Sequence, residues 1–206
     1  MAHPAFSSTT SRGRGRPREF DPDAALDKSV RVFRERGYHA TSIADLTEAM
    51  KLASGSVYKA FKDKRAVFLA AFDREGRTRL EKLRRVLSTA KSGRDRIRTV
   101  LKFFAESSHG VEGKRGCLIV GTAAELATLD AGVAGRVTAA LGQSETLVRD
   151  LIRQGQADGS IPVDIDARVT ARLMLCLLQG MRVIGKTGRK RKEMMAVAEA
   201  AMKLLG

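Results

Sequence analysis

The stretch Thr41-Ser-Ile-Ala-Asp-Leu-Thr-Glu-Ala-Met50-Lys-Leu-Ala-Ser-Gly-Ser-Val-Tyr-Lys-Ala60-Phe-Lys-Asp-Lys64 decides how the rest of the chain is read. Ser42 followed three residues later by Asp45 has the pattern of a capping box, in which a hydroxyl cap is answered by an acid. Ile43, Leu46 and Met50 then recur at helical spacing on one face. A turn follows at Lys51 to Ala53, and a second short helix has Val57 and Phe61 as its apolar anchors. Between the anchors stand Ser54, Gly55, Ser56, Tyr58 and Lys59, small or hydrogen-bonding residues on a face that packing does not require. Two such helices make a helix-turn-helix, in which the first braces and the second offers its N-terminal residues to the DNA major groove. Two ordinary amphipathic helices of a larger core are the other reading of these residues alone.

The flanking residues carry a resemblance. Tyr58-Lys-Ala-Phe-Lys-Asp-Lys-Arg-Ala-Val-Phe68 resembles the segment that closes the DNA-binding domain of the TetR family of bacterial repressors. Gly37-Tyr-His-Ala-Thr-Ser-Ile-Ala-Asp-Leu46 resembles that family's first loop and second helix. The match runs from about Arg16 to Phe72 and is one of architecture beyond it. Three positions depart from the pattern. Lys51 stands where the family has a turn glycine, and a left-handed lysine costs on the order of 1 kcal/mol. Ala53 stands at the polar cap of the second helix, which forfeits about 1 kcal/mol, with Ser54 one residue on as the alternative cap. Ala60 replaces an aromatic residue or histidine.

The resemblance implies an all-α fold of about nine helices: a three-helix DNA-binding domain and a larger helical domain for effector binding and dimerisation. It implies a ligand-responsive, homodimeric repressor that binds a palindromic double-stranded DNA operator and is released by a small-molecule effector. By the same resemblance Ser54, Ser56 and Lys59 would face bases beside Gly55, while Thr41, Ser42, Tyr58 and Lys64 would hold phosphates.

Charge points the same way. Of the 206 residues, 38 are Lys or Arg and 23 Asp or Glu, a formal net charge of +15. The first hundred residues hold 23 basic and 12 acidic residues, the remainder 15 and 11, so the excess sits on the half with the helix-turn-helix. A basic surface favours a polyanionic partner, and phosphate neutralisation dominates nucleic-acid affinity. Residues 1–20 read as a flexible basic arm in which Arg12, Arg14, Arg16 and Arg18 alternate with glycine and proline. Such a run cannot form a helix, and arginines on an arm suit a narrow minor groove. Residues 21–72 read as the DNA-binding domain and 73–206 as the effector-binding and dimerisation domain.

Asp21-Pro22 opens the first helix and Gly37 ends it, with Leu26, Val30 and Phe33 as its stripe. Asp63 caps a long fourth helix reaching about Thr89, with Leu80, Leu83 and Leu87 continuing its apolar face. Ile97, Leu101 and Phe104 line the next, and Val111 to Arg115 reads as a polar loop before Gly116-Cys117-Leu118. One helix then carries Leu118, Thr122, Leu126 and Leu129, and another Val133 to Leu151. The helix from Asp166 to Lys186 has a single polar stripe, Arg168, Arg172, Gln179, Arg182 and Lys186, and is apolar elsewhere. An amphipathic surface helix has one buried face, so two apolar faces on this helix and the last point to a twofold mate packed as a four-helix bundle. Val169, Leu173, Leu177, Met181, Ile184, Met194, Val197, Met202 and Leu205 are the residues expected at that interface.

Enzyme motifs are lacking: no nucleophile elbow, no phosphate-cradling glycine loop and no His-Glu-x-x-His. The two cysteines and three histidines are scattered, which argues against a metal site, and no cofactor is called for. No window is long and apolar enough to span a membrane and the first residues lack a secretion signal, so the cytoplasm is the expected compartment. For the effector cavity the candidates are Phe103, Phe104, Cys117, Glu125, Met174 and Cys176. Glu125 stands out because a buried carboxylate needs a partner. Cys117 stands out because the cations Lys114 and Arg115 beside it favour a thiolate. A protein that coats DNA without reading it is the alternative function.

Overall fold

The computed structural model describes residues 20–206, which carry ten α-helices, a closing 3-10 turn and no strand. The arm arginines Arg14, Arg16 and Arg18 lie outside the described residues.

Helix α1 spans Pro22–Arg36, α2 Ile43–Met50 and α3 Ser54–Ala60. Their starts are chemically marked. The Asp21 side chain accepts from the Asp23 N–H with proline at the first helical position, and Ser42 and Asp45 close the reciprocal capping box. Helix α3 begins at Ser54 after Ala53 with no side-chain cap, so the alternative serine cap is not used. Lys51 takes the left-handed conformation at φ 58°, the residue expected to bear that strain. Helix α4, Lys64–Leu87, starts on the Asp63 carboxylate, which accepts from the Ala66 N–H. Its 24 residues extend roughly 36 Å at 1.5 Å per residue.

The larger part follows as α5 (Gly93–Glu106), α6 (Gly110–Arg115), α7 (Leu118–Glu125), α8 (Ala131–Ala157), α9 (Ala167–Gly185) and α10 (Arg191–Ala201), with the 3-10 turn at Met202–Leu205. Helix α6 corrects the polar loop expected over Val111 to Arg115. Six residues are too few to show a periodic apolar face.

Two hydrophobic clusters organise these elements. The first gathers Leu26, Val30, Phe33, Leu46, Val57, Val67, Phe68 and Phe72 from α1 to α4, joined by Leu118 and Leu126 from α7 and its end and by Val133 and Val137 from α8. Helix α7 and the start of α8 therefore pack into the core of the helix-turn-helix unit, although they lie in the larger domain by sequence. The second cluster gathers α5, the later part of α8, α9 and α10 around Ile97, Leu101, Phe104, Ile152, Met174 and Leu178. There α5 and α8 touch backbone to backbone: a Cβ on Gly93 would come within 2.1 Å of the Gly155 nitrogen.

The second cluster corrects the expected dimer face. Met181, Met194, Met202 and Leu205 are buried inside their own chain, and Leu177 packs against the same core. Val169, Leu173, Ile184 and Val197 are exposed, Val169 by 62%. Periodicity shows that these helices are apolar on two faces, but it does not say which face the chain covers itself.

Candidate nucleic-acid interface and effector cavity

Val57 is the buried anchor of α3 and Phe61 packs half-buried behind it. The opposite face presents Ser54, Gly55, Tyr58 and Lys59 to solvent, with Ser56 half-buried. Tyr58 is 52% exposed, a large ring that the fold does not use. A Cβ at Gly55 would meet nothing within 4 Å, and its φ is not in the left-handed range, so the chain itself does not require glycine there.

Two of the expected phosphate ligands are turned inward. Thr41 is buried and its Oγ1 donates to the Gly37 carbonyl at 2.6 Å. The Lys64 ammonium donates to the Tyr38 and Thr41 carbonyls at 3.0 and 2.9 Å and lies 4.3 Å above the Tyr38 ring. The loop between α1 and α2 leaves carbonyls without helical partners, and these side chains satisfy them. Both residues thus shape the loop that aims α2 and α3. Ser42 is exposed, with its hydroxyl held in the cap of α2.

Beneath this unit lie two adjoining spaces. A cavity of about 90 Å³ opens between α4, α5, α8 and α9, walled by Arg79, Leu80, Leu83, Phe104 and Leu147 among others. A cleft of about 410 Å³ lies between α1, α7 and α9, walled by Arg34, Tyr38, Glu125 and Arg182. Cys117, the residue that opens α7, stands in the wall of both. Of the expected cavity residues, Phe104 and Cys117 face the cavity and Glu125 faces the cleft. Phe103 is half-buried beside the Arg79 guanidinium. Met174 is plain core, and Cys176 is exposed on α9, which removes both from the cavity wall.

Arg182 is the largest correction. Expected on a solvent stripe, it is 1% exposed, and its Nη2 donates to the Gly116 carbonyl at 2.7 Å. Its register gave the signal, because Ala171, Met174 and Leu178 precede it at helical spacing and all are buried. Arg79 likewise occupies a position in step with the buried residues Phe72 and Leu83. Burial pushes the Cys117 thiol up, but the charges of Arg79 and Arg182 and the Val120 N–H outweigh it, so its pKa stands below the ordinary thiol value.

Residues 25–71 match the family model described as bacterial regulatory proteins, tetR family, and residues 93–201 match that of the tetracyclin repressor-like C-terminal domain. The chain belongs to the TetR family. It is similar to the HTH-type transcriptional repressor ComR of Escherichia coli, with 28% identity over 94% of this chain and 92% of that one. It is 29% identical to the repressor DhaR of a Mycobacterium species over 81% and 83% of the two chains. Among solved structures, a cysteine mutant of the TetR-family regulator CifR complexed with 26-bp double-strand operator DNA shares 34% identity, with a TM-score of 0.79 over 91% of this chain and 98% of that one. These likenesses make the chain a DNA-binding transcription regulator of the helix-turn-helix type.

In this TetR-family chain the contacts between the helix-turn-helix unit and the larger domain converge on α7. The Glu125 carboxylate, near its C-terminal end, accepts the backbone N–H groups of Tyr38 and His39 at 2.9 and 2.6 Å. This is the partner that Glu125 needed, and it is backbone of the α1–α2 loop. At the other end of α7, the Gly116 carbonyl accepts from Arg34 of α1 at 2.8 Å as well as from Arg182. Ion pairs Arg65–Asp130 at 2.6 Å and Arg115–Glu35 at 3.0 Å flank the same seam. The Arg65 guanidinium holds the Asp130 carboxyl well below the usual carboxylate range.

Proposed function

We propose that the chain is a homodimeric repressor that binds a palindromic double-stranded DNA operator in the cytoplasm and releases it when a small-molecule effector enters the cavity. One observation carries this reading. Helix α7 begins at the cavity wall with Cys117 and ends with Glu125 on two amides of the loop that aims the recognition unit. An effector that shifts α7 or α4 biases the equilibrium between DNA-competent and DNA-incompetent arrangements, a coupling typically worth about 1–3 kcal/mol.

The exposed row Val169, Leu173 and Ile184 on α9, with Val197 on α10, supports the dimer. Gly180 and Cys176 continue that exposed face, and small side chains there let a twofold mate approach closely. On DNA, Ser54, Ser56 and Lys59 would meet base edges, and Gly55 would let the backbone come close. Tyr58 and the amide end of α2 at Ser42 would meet phosphates, with Arg14, Arg16 and Arg18 in the adjacent minor groove.

Fluorescence anisotropy on labelled duplexes tiling the DNA upstream of the chain's own gene, with a shuffled control at two salt concentrations, tests the reading. It requires one tile bound at least a hundredfold tighter than the control, with two chains per half-site pair. Equal binding to every duplex with a steep salt slope would favour the alternative of a DNA-coating protein, whose affinity is phosphate neutralisation alone.

A further inference from the structure

Two guanidiniums flank Cys117 without an acidic partner at ion-pair distance, Arg79 from the cavity and Arg182 from the cleft. Arg182 is 1% exposed, and with its Nη2 on the Gly116 carbonyl its Nε and Nη1 have no acceptor. Arg79 reaches in from α4, its guanidinium carbon 4.5 Å above the Phe104 ring, and its buried Nη2 also has no acceptor. Neither arginine takes part in an ion pair among the described residues. The third arginine nearby, Arg34, is occupied by the Gly116 carbonyl and by Glu112.

Buried charges are normally paired, and buried donors normally satisfied. Burial lowers the Arg79 pKa and the neighbouring charge of Arg182 lowers it further, while Cys117 and Glu75 raise it. A Cys117 thiolate would supply one negative charge for two positive ones, so a further anion is still needed for balance.

We propose that Arg79 is the head-group site of the effector, with the Arg182 charge behind Cys117 adding to the positive potential there, and that the effector is a small organic carboxylate whose apolar body lies against Leu80, Leu83, Phe104 and Leu147. A guanidinium presents its donors in a plane that matches a carboxylate bidentately. The cavity of about 90 Å³ is smaller than one of about 150 Å³ that takes benzene. It therefore fits a short chain rather than a long acyl group. This inference rests on the effector-release reading but is tested apart from it.

Acetate, propionate and butyrate are titrated by calorimetry into the DNA-free protein, against ethanol, 1-propanol, 1-butanol and butylamine. The inference requires at least one carboxylate to bind ten times or more tighter than the alcohol of the same skeleton, and butylamine not to bind. The preferred carboxylate should also slow alkylation of Cys117 by iodoacetamide. Arg79→Gln should bring the carboxylate-to-alcohol ratio to within about threefold of one, and Arg182→Gln should lower it less. No carboxylate preferred over its alcohol would overturn the inference, and so would a preference that persists in folded Arg79→Gln. Carboxylate binding with operator affinity unchanged would leave this anion site standing and remove effector release.

Discussion

The molecule carries positive charge in two settings that behave oppositely. On the surface, Lys51, Lys59 and Lys62 stand exposed around the recognition unit, where a charge costs little to maintain and attracts phosphate over a range of about 8 Å at physiological salt. Inside, Arg79 and Arg182 hold unpartnered guanidinium nitrogens among aromatic and aliphatic side chains, where an unpaired charge is costly and little screened. The first set is a footprint for a polymer that repeats its charge. The second suits a single small anion. Substitutions in one region should therefore change the salt dependence of DNA binding and leave folding alone, and substitutions in the other should do the reverse.

The largest effect should come from replacing Arg14, Arg16 and Arg18 together by alanine. Operator affinity should fall at least roughly tenfold, and the slope of log affinity against log salt should flatten by about 2–3, with the melting temperature unchanged. An unaltered slope would take the arm off the DNA. Next, Lys59→Ala should weaken operator binding by about 1–3 kcal/mol in anisotropy titrations, again without loss of stability. A comparable loss on shuffled DNA would make Lys59 a phosphate contact rather than a base reader.

Arg79→Met should act the other way. With the half-buried cation replaced by an apolar chain, the ligand-free protein should gain up to about 1 kcal/mol in denaturant unfolding, and the salt slope of DNA binding should stay as it was. Destabilisation would mean that Arg79 is satisfied by its rings alone. For the thiol beside it, the pH profile of Cys117 alkylation should have its midpoint below the ordinary thiol value, because the two guanidiniums favour the thiolate. Arg79→Met should move that midpoint upward.

The smallest effect is at the surface of the larger domain. Glu106 is held down to about 2 by hydrogen bonds from Arg191 and then His109. Since its folded pKa is depressed, its contribution is present above the ordinary glutamate pKa and is lost as pH falls toward about 2. The group is well exposed, so Glu106→Gln should cost under about 0.5 kcal/mol at pH 7 and nothing at pH 2 by chemical denaturation.

Much of this architecture was legible because it is written in local chemistry. Asp21-Pro22, the Ser42–Asp45 box and Asp63 each mark a helix start within one residue, and Lys51 bears the left-handed turn expected of it. What escaped the sequence depends on which side of an element meets the chain itself. Thr41 and Lys64 look like surface donors until the carbonyls of the α1–α2 loop claim them. Arg182 reads as solvent-facing because arginine is rarely buried, although its register is that of Met174 and Leu178. Met181 and Leu205 have the composition of an interface and the position of a core. The bond from Glu125 to Tyr38 and His39 joins residues 87 and 86 positions apart, beyond any periodic signal.

That bond is where the two settings of charge are connected, so it tests the account most directly. Glu125→Ala should be compared with the parent chain for operator affinity by anisotropy and for the alkylation profile of Cys117. If α7 transmits between cavity and recognition unit, operator affinity falls at least tenfold while the Cys117 profile stays in place. Equal operator affinity in a folded Glu125→Ala would contradict the coupling and leave the cavity and the DNA-binding unit as independent features of the fold.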